Sequence, residues 1–175
     1  RRTLGDLHGR GALVLGTGEA GVLAARALLN VGVSRLVVTN RTFERAAELA
    51  QELGGEAIPF DGLEDALRDA DVVVRGTGAP AYLITPEMGR RAMDGRAGRP
   101  LFVLDIAVPR DVDPAVAELP GVTLSVYPVQ DYRFVLVLRG DGLHEGVTET
   151  DPQEVGVPPV KAAAMSQTAR KTAQV

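Results

Sequence analysis

The segment Gly16-Thr17-Gly18-Glu19-Ala20-Gly21 constrains this chain more than any other. It fits the pattern G-x-G-x-x-G. In that pattern the first glycine permits a tight turn, the second lets a pyrophosphate approach the backbone, and the third lets a helix pack closely on a strand. Ahead of it, Ala12-Leu13-Val14-Leu15 is a continuous apolar run bounded by Gly11 and Gly16, which reads as a buried strand. Behind it, Val22, Leu23, Ala25, Leu28 and Leu29 recur at helical spacing on one buried face, and Gly32 is the stop. Arg35-Leu36-Val37-Val38-Thr39 is a second strand. The glycines alone describe only a turn. In this strand–loop–helix–strand setting, residues 11–42 describe a dinucleotide site, with the N–H groups and positive dipole end of the helix turned to the phosphates. Gly16, Thr17, Gly18, Glu19, Ala20 and Gly21 are therefore candidate cofactor contacts. The Glu19 carboxylate suits a helix N-terminus but repels a pyrophosphate, so its side chain is expected to turn away from the ligand.

The rest of the chain continues the alternation. Thr42 is placed to cap a helix that buries Phe43, Ala46, Ala47, Leu49 and Ala50. Gly54-Gly55 ends it, and Ala57-Ile58-Pro59 is a short third strand near an edge, as the proline requires. Asp61 and Glu64 are spaced as a capping box for a helix through Leu67. Asp71 to Val74, Leu101 to Asp105 and Val122 to Val126 are strands four, five and six, and Thr85-Pro86-Glu87 starts another helix. Aromatic residues are only 4% and Trp is absent, so Val, Leu, Ala and Ile build the core, which suits a parallel sheet covered by helices. The predicted class is α/β: a Rossmann-type doubly wound parallel sheet of about six strands with helices on both faces. Residues 1–127 form that domain. Residues 128–175 form a divergent tail: Phe134 to Leu138 before Gly140-Asp141-Gly142 suggests a hairpin, residues 148–160 a linker, and Val160 to Val175 a weak or disordered helix.

The second strand decides which dinucleotide. An NAD site usually has an acid about 20 residues past the loop, bonding the ribose 2′-hydroxyl. Asn40 stands there, followed by Arg41 and Thr42. No acid repels a 2′-phosphate, Arg41 can grip one through two N–H groups, and Thr42 can donate to it. The expected cofactor is NADP.

Other classes are disfavoured. The formal net charge of −4 makes the chain a poor non-specific nucleic-acid binder. With no Cys there is no disulfide, thiolate metal site or Cys nucleophile. No apolar run approaches the roughly 20 residues of a membrane span, and no signal peptide opens the chain, so no membrane partner and a cytoplasmic location are expected. His8 and His144 are isolated, and no metal site is expected. The start at Arg1-Arg2-Thr3, without Met, is compatible with a fragment of a longer protein and leaves open whether the chain is complete.

Asn40-Arg41-Thr42-Phe43-Glu44-Arg45-Ala46-Ala47-Glu48-Leu49-Ala50 resembles the second-strand signature of glutamyl-tRNA reductases and shikimate dehydrogenases. The loop Gly16 to Gly21, with Glu19, resembles the reductase version. Asp105-Ile106-Ala107-Val108-Pro109-Arg110-Asp111-Val112-Asp113-Pro114 is similar to a segment distinctive of the reductases. Asp71-Val72-Val73-Val74 to Thr77-Gly78-Ala79-Pro80 also matches, except that Arg75-Gly76 stands where small polar residues are usual. The resemblance covers about Thr3 to Val126 and ends after Tyr127. It implies the NADPH-binding domain of a glutamyl-tRNA reductase, delivering hydride to reduce glutamyl-tRNA to glutamate-1-semialdehyde in tetrapyrrole (porphyrin) biosynthesis. It further implies a catalytic Cys in a separate N-terminal domain, tRNA contact through domains outside this chain, and a homodimer of the full-length protein. This chain alone is expected to hold NADPH without catalysis. Thr77 and Gly78 are the expected contacts near the nicotinamide, and Ala107, just past strand five, is a further candidate cofactor contact. Asp105 is placed to bond loop backbone and Arg110 to pair with Asp111 or Asp113. Two other readings stay open: a shikimate-dehydrogenase-like NADP reductase domain, and a non-catalytic dinucleotide-binding module.

Overall fold

The computed structural model describes residues 2–4, 6–76, 81–107, 110–126, 138–139 and 142–144. In chain order the elements are β1 (Arg2–Leu4), β2 (Gly11–Leu15), α1 (Glu19–Asn30), β3 (Arg35–Thr39), α2 (Phe43–Leu53), β4 (Glu56–Ile58), α3 (Leu63–Asp69), β5 (Val72–Arg75), α4 (Pro86–Asp94), β6 (Leu101–Asp105), β7 (Val122–Val126), β8 (Leu138–Arg139) and β9 (Gly142–His144). Short 3-10 turns span Phe60–Gly62 and Pro114–Glu118.

Six strands form one sheet in the order β4-β3-β2-β5-β6-β7, every pair parallel. Successive side chains alternate between its faces. Val14, Val38, Val72, Val74, Phe102 and Leu104 pack with α1 and α2, through Ala25, Leu28, Ala46, Leu49 and Ala50. Leu13, Leu15, Val37, Val73, Leu101 and Val103 pack on the other face with Leu63, Leu67 and Ala92 of α3 and α4. The doubly wound sheet with helices on both faces is thus observed. Chain order reverses at β2, which lies between β3 and β5. In such sheets that reversal opens a crevice at the carboxyl ends of the strands. A second, antiparallel sheet has the order β1-β9-β8. Its β8 and β9 flank the predicted turn at Gly140; residues 134–137, the linker over 148–160 and the helix expected from Val160 lie outside the described residues. No described helix is long and apolar enough to cross a membrane.

Several local expectations need correction. Leu23 is 45% exposed and Phe43 44% exposed, rather than facing the core. The buried stripe of α1 is Gly21, Ala25 and Leu28, and that of α2 is Ala46, Leu49 and Ala50. Leu23 is the fifth residue of α1 and Phe43 the first of α2, and each lies off the buried stripe of its helix. Asp61 caps nothing: it lies inside the 3-10 turn, α3 begins one position past Gly62, and Glu64 pairs with Arg91 at 2.9 Å. β5 runs one residue later than expected. Asp71 precedes it and accepts a hydrogen bond from Gly11 N (3.1 Å). The start of α4 is as predicted, with Thr85 Oγ1 accepting from Met88 N at 3.3 Å.

These positions differ in what they hold together. Leu13→Ala, in the fully buried centre of the sheet, should lower unfolding free energy by about 2–5 kcal/mol. Leu23→Ala should change it by less than about 0.5 kcal/mol. Urea unfolding of both variants checks this; equal losses would contradict the assignment of the α1 face.

Candidate functional site

The glycine loop joins β2 to α1. Gly16 has φ +91°, a left-handed conformation that a side chain would strain, and its N–H donates to Thr39 O at 2.9 Å. The turn is thereby tied to the end of β3. Gly18 is extended and occupies the N-cap of α1, where it offers no side chain to the helix. Its carbonyl accepts the first helical bond, from Val22 N (3.0 Å). The N–H groups of Glu19, Ala20 and Gly21 precede that bond and have no intrahelical partner. They form the anion cradle expected of a dinucleotide loop, and the residues present fit a pyrophosphate. Glu19 is solvent-exposed, in agreement with a carboxylate kept in water. Thr17 and Ala20 are half-buried.

Gly21 lies against Gly76, the residue that leaves β5. A Cβ on Gly21 would meet Gly16 O at 3.5 Å and Gly76 Cα at 3.6 Å, which are ordinary contacts. A Cβ on Gly76 would fall 2.8 Å from the Gly21 N and Cα, which no real packing tolerates. The steric demand for glycine therefore falls harder on Gly76 than on the third glycine of the motif. The sequence had marked Gly76 only as a departure from a familiar pattern.

Asn40, Arg41 and Thr42 follow β3 on the neighbouring carboxyl end. Asn40 is half-buried and its Nδ2 donates to Thr42 O (3.0 Å), bracing the turn. Arg41 and Thr42 are exposed. Thr42 is the N-cap residue of α2, but its hydroxyl makes no capping bond, contrary to expectation. Thr39 is fully buried beside the glycine turn, and its Oγ1 has no hydrogen-bond partner among the described residues.

On the other side of the crevice, Asp105 ends β6. Its Oδ1 accepts from Ala107 N (3.0 Å) and its Oδ2 from Val112 N (3.4 Å), as expected for a carboxylate that holds loop backbone. Ala107 is buried there, and its N–H is already engaged. Thr77 and Gly78 lie outside the described residues. Arg110 does not take Asp111 or Asp113. Asp113 Oδ1 accepts from Ala115 N (2.9 Å), capping a 3-10 turn. Asp111 pairs with Arg75, whose Nε donates to Oδ1 at 2.7 Å while a second guanidinium nitrogen reaches Oδ2. Both partners are buried, Arg75 at 2% exposure and Asp111 at 0%. Burial lowers the Arg75 pKa below its ordinary value, Asp111 and then Asp105 counter that, and the like charge of Arg41 adds to the lowering. Sequence reading missed this pair because its members lie 36 residues apart; the visible signal was an arginine ending a strand otherwise built of valine.

A cavity of about 280 Å³ lies elsewhere, lined by Gly11, Arg35, Pro59, Gly62, Ala66 and Asp69 among others. Gly11 and Arg35 are the first residues of β2 and β3, so it opens at the amino ends of the strands, away from the glycine loop. His8 hydrogen-bonds Asp6 at the surface, and no group of metal-ligating residues occurs among the described residues.

Gly76→Ala should cost about 1–3 kcal/mol of stability through overpacking. Gly62→Ala, whose Cβ would meet only Ile58 Cδ1 at 3.7 Å, should be tolerated. Thermal melts of both test the contact; an unchanged Gly76→Ala would contradict it.

Comparison with known proteins follows the same lines. A glutamyl-tRNA reductase of Trichlorobacter lovleyi is 47% identical over 142 residues, 81% of this chain and 32% of that protein. One from Methanosarcina acetivorans is 50% identical over 120 residues, 69% of this chain and 26% of that protein. The solved structure of glutamyl-tRNA reductase from Methanopyrus kandleri superposes with a TM-score of 0.68 at 45% identity, covering 71% of this chain and 31% of that one. The chain thus spans about a third or less of the length of these relatives. The family model described as Shikimate / quinate 5-dehydrogenase matches residues 1–135. The chain belongs to the shikimate / quinate 5-dehydrogenase domain family, and across the matched region it is similar to glutamyl-tRNA reductases.

Proposed function

We propose that this chain is the NADPH-binding domain of a glutamyl-tRNA reductase. The observation that carries the cofactor choice is the arrangement at the end of β3. Asn40 braces the turn, Arg41 stands exposed beside the glycine loop, and no carboxylate occupies residues 40–42. A guanidinium there can hold a 2′-phosphate through two parallel N–H bonds. The exposed Thr42 hydroxyl, free of a capping bond, is available to the same phosphate. The N–H groups at Glu19, Ala20 and Gly21 hold the pyrophosphate, and Gly16, Thr17 and Gly18 let it approach. Ala107 bounds the nicotinamide end; Thr77 and Gly78 are assigned to the cofactor from the sequence alone.

When bound, NADPH supplies the hydride for reduction of a glutamyl ester to glutamate-1-semialdehyde, a step of tetrapyrrole biosynthesis. The residues of this chain bind and orient; none is assigned a covalent role. The chain contains no Cys, so the thiol that accepts the glutamyl group belongs to another part of the whole protein. Contact with glutamyl-tRNA and dimerisation belong there too, and a cytoplasmic site of action goes with this reading. The identity of 47% to one such reductase supports it.

Fluorescence titration of the purified chain with NADPH and NADH tests the assignment. NADPH should bind more tightly. Arg41→Ala should weaken NADPH by about 1–3 kcal/mol, the scale of a charge-assisted bond, and leave NADH nearly unchanged. Equal affinity for both cofactors, or an equal loss for both in the variant, would show that Arg41 does not read the 2′-phosphate.

A further inference from the structure

Arg75, Leu15 and Thr39 are register partners across β5, β2 and β3, and Arg75 is also the partner of Asp105 on β6. Register partners in a parallel sheet project from the same face. Arg75 and Asp105 therefore stand side by side under the carboxyl edge, both buried. The Arg75 carbonyl accepts from Ile106 N (3.0 Å), and its guanidinium grips Asp111. The Asp111 carbonyl in turn accepts from Leu83 N (2.7 Å) and Ile84 N (3.3 Å). Val112 bridges to Ile84 and donates to Asp105. One ion pair thus joins the end of β5, the segment after β6 and the segment before α4. The next residue, Gly76, presses on the first turn of α1.

We infer that the Arg75–Asp111 pair positions the nicotinamide side of the dinucleotide crevice, fixing Gly76 and Ala107 relative to the glycine loop. This rests on the NADPH reading given above. With the 2′-phosphate at the end of β3 and the pyrophosphate at α1, the remaining half of the dinucleotide extends over the ends of β5 and β6. That is where the pair acts. A fork-to-carboxylate bond fixes both distance and plane, which an apolar contact does not. A purely structural role would be served as well by apolar side chains of similar volume, because buried ion pairs are often replaced in that way without loss of stability. Arg75 is a positioning residue here, since its guanidinium is buried and turned to Asp111.

The test compares two ligands that share one end. NADPH carries the nicotinamide half; adenosine 2′,5′-bisphosphate carries only the half read at Arg41. Both are titrated against the chain and its double variant Arg75→Met with Asp111→Leu. The double variant should bind the bisphosphate within about twofold of the original and NADPH about tenfold more weakly, a one-sided loss. The fluorescence enhancement of bound NADPH should fall with it. Unchanged NADPH affinity, or equal losses for both ligands, would overturn the inference. Should the double variant fail to fold, Arg75→Lys, which keeps the charge and lacks the fork, must show the same one-sided loss; full NADPH affinity in that variant overturns the inference as well. Failure of the original chain to bind either ligand would instead overturn the NADPH reading, and the positioning role with it.

Discussion

Two stretches of backbone meet where the first turn of α1 passes the residue leaving β5, and a single methyl group at Gly76 would separate them. That contact sets how close α1 sits to the carboxyl edge of the sheet. It also sets where the helix's unpaired N–H groups emerge. Gly16 delivers the chain into α1 through a left-handed turn tied to Thr39. Beyond Gly76, Asp105 and the Arg75–Asp111 pair hold the far wall. The crevice is thus bounded by backbone on one side and by a buried ionic network on the other.

A buried ion pair is weak evidence for stability, because desolvation offsets much of the attraction. Arg75 illustrates this: burial disfavours its charge, and two carboxylates counter that. Removing one partner alone would leave an uncompensated buried charge, a loss of about 3–5 kcal/mol. The arrangement makes better sense as a geometric tie, since it gathers three chain segments at one edge. The cavity at the amino ends of β2 and β3 has no such construction. Its Arg35 is engaged by Glu56 at 3.0 Å at the surface.

Much of this was legible in the sequence, for a reason. β3, β6 and β7 match their expected ranges residue for residue. For β3 and β6 the reason is that strands buried on both faces read as near-continuous apolar segments, whereas β7 is a half-buried edge strand whose apolar residues alternate. The glycine loop and the Thr85 cap were legible because each is a local demand on local residues. What failed was whatever depends on distant partners. Leu23 and Phe43 fit helical spacing, yet the sheet takes only the narrower stripes through Ala25 and Ala46. Asp61 and Glu64 had the spacing of a capping box, but Arg91 claims Glu64. Arg110 was matched to its sequence neighbours, while Asp111 goes to an arginine two elements earlier. The glycine loop and the turn after β3 are local and were readable; the Arg75–Asp111 wall is built by tertiary contacts and was not.

The central claim is that the ligand crosses the carboxyl edge from β3 to β6. Backbone amide chemical shifts, followed by nuclear magnetic resonance as NADP is added, report this directly. The account predicts perturbations at Gly18 to Val22 and at Asn40 to Phe43, extending to Gly76 and Ala107. Gly11, Arg35 and Asp69 at the opposite edge should stay silent. Perturbations clustered around those three residues, with the glycine loop unmoved, would contradict it.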